Sequence, residues 1–143
     1  MMNSIQLVNQ KVKVLLIVLA VIAVTSSCSK EEDAHIPPDV QFKTAAGYTS
    51  ANATVGQGAS VLVGIEATKT EDEMKTFNVS YAFDGSITTT TATTVTLTGT
   101  QEESYSTDYT IVTRNQAGTE EWSFTITDRD GNITTKSITL TVQ

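Results

Sequence analysis

Residues 120–143 read EEWSFTITDRDGNITTKSITLTVQ, and this stretch decides the fold. Apolar side chains alternate with polar ones on both sides of a central Asp-Gly-Asn step. Strict alternation is typical of a strand with one face in a core, and Asp-Gly and Gly-Asn steps favour hairpin turns because they tolerate positive φ. The stretch therefore predicts two paired strands, 119–128 and 132–142, with Trp122 facing the core.

The same alternation recurs along the chain from residue 40 onward, with Gly, Asp-Gly and Asn-rich turn signals between the runs. We predict strands at 40–45, 58–68, 75–83, 86–97, 105–113, 119–128 and 132–142. The charged stretch 69–74 is the place where a short helical turn fits. About seven strands in roughly 100 residues favour a single all-β, Ig-like antiparallel β-sandwich at 40–143, with an up-and-down barrel as the alternative.

The composition agrees with an all-β domain and excludes several classes of protein. The chain has 143 residues, enough for one domain, and 26 of them are Thr, which is β-branched and favours strands. There are 9 Lys and Arg against 16 Asp and Glu, for a net charge of −7, which argues against a nucleic-acid partner because phosphate binding needs a basic surface. A single Cys excludes an internal disulfide, and a single His excludes a paired-histidine metal site.

The beginning of the chain has the pattern of an export signal. Lys11 and Lys13 precede an uninterrupted apolar run from Val14 to Val24. A bilayer core needs about 20 apolar residues in a helix, so this run is too short to span it comfortably. A positive region followed by a short apolar region predicts a cleaved signal peptide at 1–27, and a retained N-terminal membrane helix is the alternative.

Small residues lead directly from the apolar run into Cys28, the one cysteine of the chain. This arrangement resembles the lipobox of bacterial lipoproteins. The resemblance implies that the signal is cleaved before Cys28 and that the cysteine carries lipid, such as palmitate. Several acyl chains on one residue give stable membrane anchoring. An ordinary signal peptide followed by an unmodified cysteine is the alternative.

An acidic segment follows the cysteine and contains Lys30, Glu31, Glu32 and Asp33. A Lys followed by acidic residues at this position resembles the export tag of surface lipoproteins in Bacteroidota-type bacteria. The resemblance implies an outer-membrane protein that is lipid-anchored and displayed on the cell surface. With a Pro pair near its end, 28–39 as a whole is predicted to be a tether, and a plain solvated tether without an export role is the alternative.

The C-terminal stretch 120–143 also resembles the last hairpin of bacterial Ig-like domains. In those domains an aromatic strand enters an Asp-Gly-Asn turn and is followed by a Thr- and Val-rich strand. The resemblance implies the sandwich fold and carries no enzymatic activity.

The chain offers little material for catalysis. The one histidine, His35, lies in the predicted tether, and no nucleophile elbow, phosphate loop or zinc-protease motif is present. Carboxylates come in adjacent pairs at 31–32, 102–103 and 120–121, and neighbours in a strand point to opposite faces, so such pairs do not readily share a substrate. We therefore expect no enzyme and no cofactor. A small envelope enzyme or an enzyme inhibitor is the alternative.

The hairpin turn is the one place with metal-ligand character. Asp128, Asp130 and Asn132 offer alternate side-chain oxygens around a Gly, an arrangement that suits Ca²⁺. The same residues also suit a hairpin without an ion, and the positive charge of Arg129 opposes a dication. We expect a plain hairpin and keep Asp128, Asp130 and Asn132 as a weak calcium candidate.

A Thr-rich run from Thr88 to Thr100 has two interpretations. It is either an exposed edge whose hydroxyl array binds glycans or ice, or a strand whose outward face is Thr because Thr favours β structure. We expect a non-catalytic binding or spacer module whose partner is a protein or a polysaccharide. By alternation of chain direction, we expect the loops away from the tether to be 46–57, 69–74, 98–104 and 129–131.

The lipoprotein interpretation makes a direct prediction about anchoring. We expect Cys28→Ser to abolish membrane attachment, because the lipid on this residue would hold a negatively charged domain to the membrane. Partition of the full chain and the variant between detergent and aqueous phases measures this. Equal partition of the two proteins would contradict the lipoprotein assignment.

Overall fold

The computed structural model describes residues 35–143, which form two β-sheets packed face to face. The elements are β1 (Asp39–Phe42), β2 (Ala53–Val55), β3 (Ser60–Thr68), β4 (Met74–Phe83), β5 (Thr90–Thr96), a 3-10 helix (Gly99–Glu102), β6 (Ser104–Val112), β7 (Gly118–Asp128) and β8 (Ile133–Val142). Among the residues described, no helix has the length and apolar character needed to cross a bilayer.

The sandwich has the strand order of an Ig-like domain. One sheet has the order β1-β3-β6, and the other has the order β2-β8-β7-β4-β5. The chain begins in one sheet and crosses between the sheets several times, while the consecutive strands β4 and β5, and β7 and β8, stay in the five-stranded sheet. This is the order of Ig domains whose second sheet is extended by an additional strand. The prediction of an all-β, Ig-like sandwich is confirmed. The barrel alternative is wrong because the two sheets remain separate, with open edges.

Strand β7 lies at the centre of the five-stranded sheet and shows the predicted alternation. Its inward side chains are buried, whereas those between them are exposed or half-buried. The inward row consists of Glu120, Trp122, Phe124, Ile126 and Asp128. Both neighbours of β7 are antiparallel, with Trp122 opposite Tyr81 on β4 and Ile138 on β8.

The structure corrects several details of the predicted strands. Residues 35–143 contain eight strands rather than about seven, since the three residues of β2 are too few to show a period. Because β2 pairs parallel to β8, the second sheet is not purely antiparallel. Strand β5 begins at Thr90 rather than at 86, since the Ser86 hydroxyl accepts from Thr88 N at 3.1 Å and donates to Thr88 O at 3.2 Å, which holds these residues in a turn. The predicted helical turn at 69–74 is absent from the described structure, and a short 3-10 helix forms at Gly99–Glu102 instead.

Aromatic side chains fill the space between the sheets. Trp122 is 6% exposed and lies between Tyr81 and Tyr109, with ring centroids 4.9 and 6.1 Å away. Phe124 is fully buried and stacks on Phe77 at 6.5 Å. Trp122 is therefore a core aromatic, as predicted. Its packing involves other rings and needs no inter-sheet disulfide.

The loops are distributed differently from the prediction. The stretch 69–74 lies at the N-terminal end of the sandwich, because Thr68 pairs with Asp39 at the start of β1. The loops 98–104 and 129–131 lie at the same end, where Arg129 N donates to Glu73 O. At the far end, Gly58 N donates to Arg114 O, so the last part of the loop 46–57 joins the other set of loops. The loops 69–74, 98–104 and 129–131 therefore lie beside the predicted tether, and their assignment to the end away from it is wrong. The prediction grouped them with 46–57, although consecutive antiparallel strands place successive loops at opposite ends.

The last residues of the predicted tether are bonded to the N-terminal end. Ile36 N donates to Glu71 Oε2 at 3.3 Å, and Thr70 Oγ1 donates to the carbonyls of Ile36 and Pro37. Thr134 Oγ1 on β8 donates to Pro38 O at 2.6 Å. The chain is therefore held against the β3–β4 loop and β8 before β1 begins at Asp39.

Core packing makes the sandwich sensitive to loss of its one Trp. We expect Trp122→Ala to lower the free energy of unfolding by roughly 3–5 kcal/mol, because truncation of a buried aromatic removes its packing and leaves a cavity. That is a large share of a total stability of about 5–15 kcal/mol. Urea unfolding measures it. The exposed neighbour gives the control: Glu121→Ala should change stability by no more than about 0.5 kcal/mol. Equal effects of the two substitutions would contradict the packing described.

Candidate functional site

The described part of the chain contains some of the predicted site residues. Cys28 and the predicted export tag Lys30, Glu31, Glu32 and Asp33 lie outside the described residues. The calcium candidates Asp128, Asp130 and Asn132 lie at the end of β7 and in the turn that follows it.

The Asp128 carboxylate organises the β7–β8 turn. Its Oδ1 accepts hydrogen bonds from the backbone N–H groups of Asp130 at 3.0 Å and Asn132 at 2.8 Å, and its Oδ2 accepts from Asn132 Nδ2 at 3.0 Å. Asp128 is 3% exposed, so these bonds satisfy a carboxylate that is out of reach of solvent. The geometry is that of a hairpin turn closed by its own carboxylate. In residues 35–143, no three His, Cys, Asp or Glu side chains are grouped as they would be to hold a metal ion.

Arg129 occupies this turn and ties it to the β3–β4 loop. Its Nε donates to Asp130 Oδ1 at 3.0 Å, and its Nη2 donates to Oδ1 of the buried Asp72. The hydrogen bond to Asp130 raises the pKa of Arg129. The Arg129 guanidinium thus neutralises the Asp130 and Asp72 carboxylates, which would otherwise attract a metal cation.

A second buried carboxylate stands at the other end of β7. Glu120 is fully buried, and its Oε1 accepts from Arg114 N at 2.8 Å and Arg114 Nε at 3.2 Å. Its Oε2 accepts from Trp122 Nε1 at 3.0 Å. Both oxygens of Glu120 are thus used inside the fold, and its neighbour Glu121 points outward. The carboxylates of Glu120 and Glu121 therefore face opposite sides of the sheet, as the alternation of side chains along the strand predicted.

Arg114 extends this network to the surface. Its Nη1 and Nη2 donate to the two oxygens of Asp84 at 3.0 and 3.2 Å, and the guanidinium lies 3.9 Å from the ring centroid of Phe83. The hydrogen bond from Arg114, and then that from Thr119 N, hold the pKa of the Asp84 carboxyl below its ordinary value. Gly118 is required beside this pair, because a Cβ there would lie 2.3 Å from Asp84 Oδ1.

The outward side of the five-stranded sheet is covered mainly by Thr and Ser hydroxyls, together with the amide of Asn78, and we call it the hydroxyl face. Strand register places its members side by side on neighbouring strands. They are Thr76, Asn78, Ser80, Thr94, Thr96, Ser123, Thr125, Thr127, Thr135, Ser137, Thr139 and Thr141. Side chains on one face repeat about every 6.8 Å along a strand and about every 4.8 Å across strands, so the array is regular.

Several members of the hydroxyl face are bonded to each other across strands. Thr125 and Thr135 share a hydrogen bond of 2.9 Å between their hydroxyls, and Ser123 and Ser137 do the same at 2.9 Å. Each such pair uses one O–H donor and leaves the second O–H and most lone pairs available. The bonds fix the side chains while keeping donors and acceptors for a partner.

The hydroxyl face is almost uncharged. Two charged side chains of the described strands β4, β5, β7 and β8 lie at its ends: Glu121 toward the far end, and Lys75 beside the register shift at Met74–Thr76, where it pairs with Glu73 and Glu102. Ile133, 58% exposed, lies toward the other end. In a chain of net charge −7, this is a distinct neutral surface.

A shallow cleft of about 220 Å³ lies on the same side, where β2 meets β8. Its lining includes Asn52, Thr54, Thr139 and Thr141. Asn52 Oδ1 accepts from Thr139 N at 2.8 Å, which leaves the amide nitrogen of Asn52 with two donors. The cleft therefore gives the hydroxyl face a recessed polar margin.

The Thr-rich run is divided between an edge strand and its turns. Its centre forms β5, which pairs with β4 on one side and is the last strand of its sheet. Before β5, a second cleft of about 290 Å³ is lined by residues that include Tyr81, Phe83, Thr88 and Thr90. The centre of the run thus lies at an edge of the sheet with Thr on its outward face, a geometry that both interpretations of the run allow.

Sequence reasoning missed two of these features. The hydroxyl face is two-dimensional, and its extent follows from the order of the strands, which the sequence pattern does not give. The Arg114 network joins residues 30 positions apart, at Asp84 and Arg114. The sequence signal that could have indicated this network is Arg114 itself, a charged residue directly before the turn at 115–118.

Comparison with known proteins gives distant likenesses. No protein-family model and no curated protein matches the sequence. Among solved structures, β-glucosidase from Listeria innocua in complex with glucose aligns at 9% identity and a TM-score of 0.43, over 73% of this chain and 16% of that chain. Murine CRIg aligns at 11% identity and a TM-score of 0.40, over 74% of this chain and 98% of that chain. At these scores neither likeness carries an argument about function.

The Asp84–Arg114 pair predicts a pH dependence of stability. Because the folded-state pKa of Asp84 is depressed, its stabilising effect is complete above the ordinary Asp pKa and is lost as the pH falls through the folded-state value. We expect Asp84→Asn to be less stable than the unaltered chain at neutral pH, and the two to converge in acid. Urea unfolding over a pH series measures the difference. A difference that stays constant down to about pH 2 would contradict a stabilising role for the charged carboxylate.

Proposed function

We propose that this protein is a lipid-anchored, non-catalytic protein of the outer-membrane surface whose sandwich binds neutral polysaccharide. The observation that carries the proposal is the hydroxyl face, a regular and nearly uncharged array of side chains across β4, β5, β7 and β8. The domain is then a binding module, and the lipid on Cys28 holds it at the membrane.

The chemistry of the hydroxyl face favours a polyhydroxylated partner. Each Thr and Ser hydroxyl is both a donor and an acceptor, and so is each hydroxyl of a sugar. A neutral glycan brings no charge that would be desolvated without a partner. An anionic polymer would instead be repelled by a chain of net charge −7.

The cleft at β2 and β8 supports the same partner. A recess lined by Asn52, Thr54, Thr139 and Thr141 offers amide donors and hydroxyls from two strands. It is shallow, so one sugar unit would be partly covered there while the chain continued over the flat array. Binding at several weak positions along one polymer adds up through effective concentration.

The buried carboxylates support a non-catalytic role. Both oxygens of Glu120 and both oxygens of Asp128 accept hydrogen bonds within the fold. A general acid or base has to reach the substrate proton, and these groups are 0% and 3% exposed. Glu120 and Asp128 instead stabilise the two ends of β7 through these hydrogen bonds.

The anchor and the export tag complete the proposal. The lipobox resemblance at Cys28 supports a membrane anchor, and the acidic segment Lys30–Asp33 supports display on the outer surface. A surface position would bring the hydroxyl face into contact with polysaccharide outside the cell.

A glycan array tests the binding proposal on the mature chain carrying Cys28→Ser, which leaves it in solution. We expect binding to one or more neutral polysaccharides. Thr141→Lys and Ser137→Lys place a bulky charge on the hydroxyl face and should weaken binding by about tenfold or more, equivalent to about 1.4 kcal/mol. Gln41→Lys, an exposed position on β1 in the other sheet, is the matched control and should leave binding unchanged.

Three outcomes of this experiment are distinguishable. Binding that Thr141→Lys and Ser137→Lys weaken and Gln41→Lys does not would support the proposal. Equal loss in all three variants would contradict the assignment to the hydroxyl face. An array without any neutral glycan bound by the unaltered domain would contradict polysaccharide binding and favour a spacer.

A further inference from the structure

The sandwich has four edge strands, and they differ in how they are protected from pairing with another chain. β1 has four residues including Asp39, and β2 has three. β6 has nine residues but contains Asp108, which is paired with Lys43 at 2.7 Å. Edge strands are normally kept from association by being short or by carrying charge. These three follow that rule.

β5 does not follow it. It has seven residues, TTATTVT, and the whole stretch from Ser86 to Thr100 is free of charged residues and of proline. A register shift opposite Val79 and Ser80 leaves Ala92 as a bulge, so the regular part of this edge is Thr93–Thr96. The part of β8 that β2 leaves uncovered is protected differently, since it contains Lys136 and is bonded to Asn52 and Pro38. Among the edges of the described sandwich that are longer than three residues, β5 is thus the one that carries no charged residue, and its regular part beyond the bulge, Thr93–Thr96, is open.

The register shows which backbone groups of β5 are open. Leu97 N donates to Lys75 O at 2.9 Å, so this pair is hydrogen-bonded in the ladder to β4. Hydrogen-bonded and non-hydrogen-bonded pairs alternate along antiparallel strands. Thr94 and Thr96, opposite Asn78 and Thr76, are therefore non-bonded positions whose N–H and C=O groups point to the open edge.

From this edge we infer that two copies of the chain associate by antiparallel pairing of β5 with β5. The open N–H and C=O groups of Thr94 and Thr96 in one copy would bond to the same strand of the other. The result would be a continuous sheet through two sandwiches.

A second copy fits this edge better than an unrelated strand does. Five of the seven residues of β5 are Thr, so antiparallel self-pairing places Thr opposite Thr or small apolar residues in many registers. Cross-strand Thr pairs and Thr–Val pairs are favourable in antiparallel sheets. The edge is also uncharged, so two copies of a chain of net charge −7 meet there with the least repulsion.

The pairing would keep the two hydroxyl faces on one side. The two-fold axis that relates antiparallel edge strands is perpendicular to the sheet, so the outward side of one copy continues into the outward side of the other. The inference concerns association alone and holds whether or not the hydroxyl face binds polysaccharide.

Cross-linking of the full chain in membranes of the cells that produce it tests this pairing. Thr96→Cys puts a thiol on the exposed side of β5, and a short bis-maleimide reagent joins two thiols that lie close together. Glu121→Cys, exposed on the same side but on the central strand β7, is the matched control. The chain without an added cysteine is the second control, because any dimer that it forms with the reagent comes from Cys28.

We expect several-fold more covalent dimer from Thr96→Cys than from either control. Adding Thr94→Pro should remove the excess, because proline deletes an N–H that points to the open edge and takes no part in the ladder to β4. Resistance to protease shows whether the doubly substituted chain is folded. Should it fail to fold, Thr94→Lys in its place leaves the backbone intact, puts like charges on the paired edges, and should also remove the excess.

The inference is overturned by any of three results. The first is an equal yield of covalent dimer from Thr96→Cys and Glu121→Cys. The second is a dimer yield from Thr96→Cys that stays unchanged when a folded chain also carries Thr94→Pro or Thr94→Lys. The third is a cross-linked product whose mass shows a different protein instead of a second copy. The last result would identify β5 as a pairing edge for another chain.

Discussion

The inward row of β7, in which Glu120 and Asp128 flank three large apolar side chains, is the constraint on which the rest of the structure depends. A buried carboxylate is costly unless it is fully hydrogen-bonded. Glu120 therefore fixes the position of Arg114, and through it Asp84. Asp128 fixes the β7–β8 turn through its backbone donors. Both ends of the sandwich are organised from the two ends of one strand.

The same strand sets the character of the outer surface. Side chains alternate along a strand, so a shift of one residue in register would bring the hydroxyls of Ser123 and Thr125 into the core and expose Trp122. The buried carboxylates make such a shift expensive, because each would lose its partners. The regular hydroxyl face is thus a consequence of the constraint that holds the core. Its neutrality distinguishes it from the charged loops at 69–74 and 129–131.

Much of the fold was predictable from the sequence because its strongest elements are strictly alternating. The hairpin of β7 and β8, the burial of Trp122 and the all-β class all follow from local pattern. β2 was missed because three residues show no period. The loops 69–74, 98–104 and 129–131 were assigned to the wrong end because the prediction grouped them with 46–57, whereas consecutive antiparallel strands place successive loops at opposite ends. β5 was predicted too long because the Thr-rich run continues through the turn after Asp84 without any change in composition.

The candidate site was predictable only in part, because it depends on contacts between distant residues. The sequence indicated a Thr-rich surface at 88–100 and a possible ion site at Asp128. It did not indicate that hydroxyls from four strands form one surface, or that Asp128 uses its oxygens within the turn. These features depend on strand order and on the burial of particular carboxylates. Neither can be read from the spacing of residues along the chain.

The central claim is that the hydroxyl face is the surface through which this protein binds neutral polysaccharide. Amide chemical shifts of the mature chain carrying Cys28→Ser, recorded during titration with a neutral polysaccharide that it binds, test this most directly. The account predicts shift changes that concentrate on the outward residues of β4, β7 and β8 and around Asn52. Changes confined to the loops at either end, or to the three-stranded sheet, would contradict it.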